Sequence, residues 1–177
     1  MTAPDASRAI LQEADELGPE ARAQSHDHAA LKLWLRLLAC TTQIESEIRR
    51  RLRARFGTSL ARFDYMAQLY RHRDGLKMKA LSRLLMVTGG NVTGLTDELE
   101  REALVLRVND LSDRRAWLVR LTPKGRRLFE AMAREHEAWI VELLGGLGDA
   151  AIQQLHQALG VLRVQLLQLD KAEENDR

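Results

Sequence analysis

Between Pro19 and Pro123 the chain runs for more than a hundred residues without a proline, so no missing N–H or locked φ bars a long helix there. The apolar residues use that freedom. Leu31, Trp34 and Leu38, then Ile44, Ile48, Leu52 and Phe56, recur at three and four residues. They form one face of a helix over about 27–56, and Gly57 ends it. Phe63, Met66, Ala67 and Tyr70 predict a second helix closed by Asp74-Gly75, and the run from Leu76 to Met86 a third. Val92, Leu95, Leu99 and Ala103 share one side of a fourth, over 91–102.

Then the period changes. Leu104 to Val108 and Ala116 to Leu121 are short β-prone runs, separated by the polar stretch 109–115 that reads as a hairpin tip. Thr122-Pro123 is a helix start, with threonine as N-cap and proline at the first helical position. The helix it opens is expected to bury Leu128, Met132, His136 or Trp139, and Leu143, and to break at 145–148. Asp149 caps the last helix, in which Ile152, Leu155, Leu159, Leu162, Leu166 and Leu169 are spaced 3, 4, 3, 4, 3. That narrow seam asks for a partner helix. The first long helix of the same chain is one candidate, and a second copy of the chain is the favoured one.

With 45% hydrophobic and 29% charged residues in 177, the composition is that of an ordinary globular domain. No apolar run approaches the roughly 18 residues of a membrane helix. Residues 1–8 lack the basic lead and apolar core of a secretory signal, so a cytoplasmic protein without membrane association is expected. Residues 1–25 read as an extension, disordered or forming a short docked helix on Ile10, Leu11, Ala14 and Leu17. The single cysteine, Cys40, excludes an intrachain disulfide framework. The net charge of +2 conceals an asymmetry, because residues 1–28 sum to −4, 29–60 to +5, 61–128 to +6 and 129–177 to −5. A basic centre between acidic ends draws a polyanion to one part of the molecule. An assortment of solvated helix faces would give the same sums.

Helix, helix, turn, helix and hairpin is the order of a winged helix-turn-helix, whose last helix enters the major groove while the hairpin flanks it. The run Leu104-Val105-Leu106-Arg107, then Asp113-Arg114-Arg115-Ala116, then Leu121-Thr122-Pro123-Lys124-Gly125 resembles the wing signature of the MarR family of transcriptional regulators, D-x-R followed by L-T-x-x-G. The resemblance covers about residues 29–144. It implies a mainly α fold with a small β-hairpin wing: a winged helix-turn-helix lobe over 57–122 and a helical dimerisation region from 26–56 and 123–177. It also implies a homodimer, palindromic double-stranded DNA as partner, and a small-molecule effector that weakens DNA binding.

Thr88, Gly89, Gly90, Asn91 and Thr93 sit at the amino-terminal end of the expected recognition helix. Unpaired N–H groups and the helix dipole favour a phosphate there, and short polar side chains reach base edges. A bare N-cap role for Thr88 and a solvated Asn91 are the structural alternatives. Gly94, inside the helix, costs on the order of 1 kcal/mol against alanine. Close approach of DNA or packing against the preceding helix would each account for it. Asp97, Glu98, Glu100 and Glu102 outweigh Arg101 in the second half of that helix and would repel phosphate, so positive charge is expected from the wing residues Arg114 and Arg115, with Lys77, Lys79 and Arg83. The resemblance implies that Arg115 enters the minor groove and Asp113 orients it. An exposed salt bridge between the two is the alternative. Where the family commonly has glycine after the recognition helix, this chain has Ala103, which tolerates a left-handed helix end less well. The basic run 49–55 lies at a helix end and reads as structural.

The family's effector pocket would be walled here by Trp34, Leu38, Phe63, Met66 and Trp139, an aromatic and apolar set suited to a planar aromatic ligand. All five could equally be core residues. The stretch 84–96 resembles the branch that responds to hydroxycinnamoyl-CoA thioesters, which implies an aromatic acid or its CoA ester and control of aromatic-compound catabolism by a repressor. His26 and His28, two apart, point in different directions on a helix, and no metal site or other cofactor is expected. Cys40 could sense peroxide, but Leu37, Leu38 and Ala39 argue for its burial. No catalytic constellation is visible, so the chain does not read as an enzyme. The rivals are a winged-helix module serving protein contacts and a thiol-based redox regulator acting through Cys40.

Overall fold

The computed structural model describes residues 29–110 and 117–175, with side chains to Leu169. Helices α1 (Ala29–Phe56) and α2 (Leu60–Arg71) are followed by strand β1 (Leu76–Lys77), α3 (Met78–Leu85) and α4 (Gly89–Arg101). The hairpin β2 (Val105–Asn109) and β3 (Trp117–Leu121) leads into α5 (Pro123–Leu144) and α6 (Asp149–Asn175). The chain divides into two compact units within α5, one through His136 and one from Glu137. In the first, Leu52 of α1, Tyr65, Met66 and Leu69 of α2, Leu81 of α3, Val92 and Leu99 of α4 and Met132 of α5 are fully buried together with Val105 and Val119 of the hairpin. Leu52, Met66, Val92, Leu99 and Met132 are positions the helical period picks out, Leu81, Val105 and Val119 fall within the runs read as helix and strands, and Tyr65 and Leu69 are α2 positions the period passes over. Together they make the core on which α4 and the hairpin rest.

One element departs from the sequence reading. Leu76 and Lys77 are not the first turn of the third helix but a strand, antiparallel to β3 with Leu76 opposite Val119 and Lys77 opposite Leu118. The sheet therefore has three strands in the order β1-β3-β2 rather than two. Two residues are too few to show a period, and their pairing partner lies more than forty positions away. Gly75, at φ 91°, makes the turn that sets β1 against β3.

The helix ends follow local signals. Gly57 adopts φ 62° and its N–H reaches the Arg53 carbonyl at 3.0 Å. Thr122 caps α5, its Oγ1 accepting from the Gly125 N–H at 3.0 Å. Ala103 does take the left-handed conformation, at φ 56°, and the α4 terminus closes with Ala103 N–H to Glu100 O and Leu104 N–H to Leu99 O, both 2.9 Å. That is a Schellman motif with alanine where glycine carries no steric cost. Left-handed geometry costs an alanine about 1–2 kcal/mol. Glycine would return about half of that through greater freedom in the unfolded chain. Ala103→Gly is therefore expected to raise stability by about 0.5–1 kcal/mol in urea unfolding; a lower midpoint would show that the methyl group contributes packing.

Candidate nucleic-acid interface

The first turn of α4 is built to leave donors facing outward. Thr88, extended at φ −67° and ψ 154°, caps it through Oγ1, which accepts from the Asn91 N–H at 3.4 Å. The preceding amides have no intrahelical acceptor, as in any first turn. Thr88, Gly89, Gly90, Asn91, Thr93 and Gly94 are all exposed, so each of the six residues expected to face DNA is open in the first two turns of α4. A Cβ placed at Gly89, Gly90 or Gly94 would meet nothing within 4 Å. The packing explanation for Gly94 therefore finds no neighbour among the described residues. Thr93 spends its hydroxyl proton on the Gly89 carbonyl at 3.1 Å and retains acceptor capacity.

Three of the four carboxylates in and just after the second half of α4 are paired with arginines. Arg107, in β2, forms ion pairs with both Asp97 and Glu100, and its backbone N–H donates to Glu100 Oε1 at 3.2 Å. The hydrogen bond that Arg107 donates to Asp97 is the main reason that its guanidinium pKa is raised further. Arg62 of α2 pairs with Glu102 at 2.5 Å. Sequence reasoning missed both arginines as partners. The available signal was an arginine alternating with apolar residues in a strand, opposite carboxylates at i and i+3 of the adjoining helix. Inside the lobe, the Tyr65 hydroxyl meets Thr96 Oγ1 at 2.5 Å, with both residues fully buried.

Asp113, Arg114 and Arg115 lie outside the described residues. The base from which that segment leaves is defined: Asn109 pairs with Trp117 across the hairpin, and Asp110, 8% exposed, is held by Lys77 Nζ at 3.0 Å. Arg120 Nε donates to the Asp74 carbonyl at 2.7 Å, tying β3 to the turn before β1. Four of the five arginines in the basic run on α1 are paired: Arg49 with Glu45, Arg50 and Arg51 with Glu47, and Arg55 with Glu135 at 2.8 Å. Hydrogen bonds from Arg50 and Arg51 lower the Glu47 pKa to about 2.

Trp34 and Leu38 are exposed on α1, Met66 is buried in the core, and Trp139 belongs to the second unit. Phe63 stacks on Phe129 and His136, with centroids 5.4 and 4.9 Å away. It lines a cavity of about 480 Å³ in the first unit, together with Tyr70, Met86, Phe129 and His136. Partial burial lowers the His136 pKa, with the Asp64 carboxylate opposing that shift. Cys40 is exposed, contrary to the burial its neighbours suggest. Apolar neighbours imply burial when something covers their face, and Leu31, Trp34 and Leu38 are themselves open. His26 and His28 lie outside the described residues, among which no cluster of three or more metal-ligating side chains occurs. No described helix is long and apolar enough to cross a membrane. The seam residues of α6, from Ile152 to Leu169, are 37–57% exposed.

A family model described as MarR family matches residues 58–117. The transcriptional activatory protein BadR of Rhodopseudomonas palustris is 31% identical over 137 residues, covering 75% of this chain and 78% of that protein. A MarR family transcriptional regulator from Silicibacter pomeroyi, of known crystal structure, is 34% identical with a TM-score of 0.63, covering 78% of this chain and 94% of that one. A MarR family regulator of Streptomyces coelicolor, solved in complex with DNA, shares the fold at a TM-score of 0.68 and 18% identity, over 80% of this chain and 90% of that one.

Proposed function

The chain belongs to the MarR family of DNA-binding transcriptional regulators, and from that premise we propose that it is a homodimer that presents two copies of α4 to successive major-groove half-sites of a palindromic operator. The half-sites are roughly 34 Å apart, one helical turn of DNA. The observation that carries this reading is the amino-terminal end of α4, where Thr88, Gly89, Gly90, Asn91, Thr93 and Gly94 are all exposed and the glycines have no packing neighbour. Bare backbone there lets N–H donors come within hydrogen-bond distance of phosphate and base edges. Arg115, oriented by Asp113, takes the minor groove beside it, where a narrow groove concentrates negative potential. Arg114 adds a phosphate contact. The α6 seam, Ile152, Leu155, Leu159, Leu162, Leu166 and Leu169, joins the two copies.

An aromatic acid or its CoA thioester acts as effector in this reading, its ring against Phe63. The cavity at that ring supports the placement, and Trp34, Leu38, Met66 and Trp139 remain the other residues assigned to effector binding. A ligand that moves the DNA-competent population from 99:1 to 1:99 needs about 5.5 kcal/mol of preference for the incompetent state. With the operator over the promoter, the protein represses. The description of the relative from Rhodopseudomonas palustris as an activatory protein favours a second reading, in which occupancy upstream of the promoter recruits transcription. In vitro transcription with the operator in each position separates the two.

The test of DNA recognition is a gel-shift with the protein's own upstream DNA across salt concentrations. A grip on six to ten phosphates loses about 10³–10⁵ in affinity between 50 and 200 mM salt. Gly94→Ala sharpens it, because the two effects oppose one another. An interior helix alanine replaces glycine with a gain of about 1 kcal/mol where its methyl meets no neighbour. The same methyl, on the face turned to DNA, is expected to cut operator affinity about tenfold, the equivalent of about 1.4 kcal/mol. A variant that is both more stable and an undiminished binder removes α4's tip from the contact.

A further inference from the structure

Resting on the reading of α4 as the DNA-reading helix, we propose that the buried Tyr65–Thr96 hydrogen bond is a positioning contact that sets the rotation of α4 and thereby the operator specificity of the lobe. Thr96 lies in the middle of α4 and is fully buried, and Tyr65, the largest fully buried side chain, reaches it from α2. The hydroxyl protons can be assigned. Thr96 Oγ1 donates to the Val92 carbonyl at 2.7 Å, so the hydrogen between the two side chains belongs to Tyr65. The Met78 sulfur, at the start of α3, lies 3.5 Å from the same oxygen. One atom of α4 thus meets the two helices immediately before it, α2 and α3.

Leu69, Leu81, Val92 and Leu99 of the same core are aliphatic and fully buried. Aliphatic contacts of that kind tolerate a small rotation of a helix, because dispersion is non-directional. A hydrogen bond inside a low-dielectric core does not, since its energy falls steeply with angle. Burial moves the Tyr65 pKa up to about 12, so the phenol remains a donor at every pH at which the protein works. Asn91 and Thr93, which reach bases, share α4's tip with the exposed Gly94, less than two turns before Thr96. A rotation of α4 displaces all three relative to the groove while leaving phosphate contacts made elsewhere in place.

The test compares Tyr65→Phe, Thr96→Val and the double variant with the wild type. Each is measured for affinity to a duplex selected from a random pool by the wild-type protein, and for affinity to scrambled duplex. Amide hydrogen exchange through α4 is followed without DNA. Tyr65→Phe leaves the Thr96 proton on the Val92 carbonyl and strands no donor, so the lobe stays folded. Its selected-to-scrambled affinity ratio is expected to fall about tenfold, with scrambled affinity unchanged and exchange across Val92–Leu99 accelerated. Thr96→Val orphans the phenol and lowers stability, which the double variant recovers by removing both partners. Recovery of stability without recovery of the ratio separates positioning from mere support. A wild-type ratio in folded Tyr65→Phe, or α4 exchange unchanged from wild type, overturns the proposal. Accelerated exchange in a protein whose wild type never discriminates between duplexes supports the pin and instead defeats the assignment of α4 as the reading helix.

Discussion

Leu159→Asp is expected to give a folded monomer that no longer holds an operator. Leu159 occupies the middle of the α6 seam and is 39% exposed in the single chain, as are its neighbours Leu155 and Leu162 at 43% and 38%. Six apolar side chains in 3-4-3-4-3 spacing, all open to this degree, form a stripe that water disfavours and a second helix would cover. A carboxylate in such a seam must be desolvated opposite its own copy, so the cost is counted twice in a twofold interface. Because the position is exposed within one chain, the same change scarcely touches the fold of that chain. Binding then suffers by geometry. Two half-sites held by one rigid dimer act as a single site, and separating them forfeits about 10²–10⁴ in overall affinity. Sedimentation together with gel-shift measures both effects, with Gln157→Asp on the opposite side of α6 as the control. Tight operator binding by a Leu159→Asp monomer would place the dimer contact outside this seam.

The contrast between what the sequence reveals and what it hides follows from the range of the forces involved. The winged order was legible because its boundaries are written in local chemistry: Gly57, the Thr88 cap, the Thr122-Pro123 start and the change of period at Leu104 act within a turn or two. The left-handed strain at Ala103 is legible only through the resemblance, which places glycine there. By contrast β1 is held by residues of β3, and the Arg107 grip on Asp97 and Glu100 crosses from a strand to a helix. No periodicity records such contacts. The exposure of Cys40 has the same origin, since burial belongs to the surface opposite a residue and not to its neighbours in sequence. Charge summed over the middle of the chain pointed toward a polyanion, yet much of that charge turns out to be paired on α1 and around α4. A sum over sequence cannot distinguish the arginines that are spent from those that remain available.

Gly125→Ala is expected to be the most damaging single methyl group added to the lobe. In the resemblance to the wing signature this glycine closes the L-T-x-x-G motif, and the structure gives it a steric meaning. A Cβ at Gly125 would lie 1.9 Å from the Leu104 carbonyl oxygen and 2.8 Å from its carbon, both backbone atoms. They cannot swing aside as a side-chain tip does. The carbonyl is also held in place: it accepts the Thr122 N–H at 3.0 Å, while Thr122 Oγ1 donates to the Ala103 carbonyl at 2.7 Å. Lys124 Nζ adds a bond to the Glu102 carbonyl at 2.9 Å. The first turn of α5 is thus fastened to the junction between α4 and β2, and a methyl group at Gly125 must break that junction or move the helix. Overpacking of this kind costs about 3 kcal/mol or more, against the roughly 1 kcal/mol that alanine gains over glycine in a helix. The melting temperature should fall by about 4–8 °C in a chain of this size. Gly94→Ala, the same substitution in another helix with open space around it, should raise it. Thermal unfolding of the two variants side by side tests whether close backbone approach, rather than helix propensity, decides each sign. If Gly125→Ala melts with or above the wild type, the α5 junction is not the rigid contact from which the hairpin and α4 are positioned.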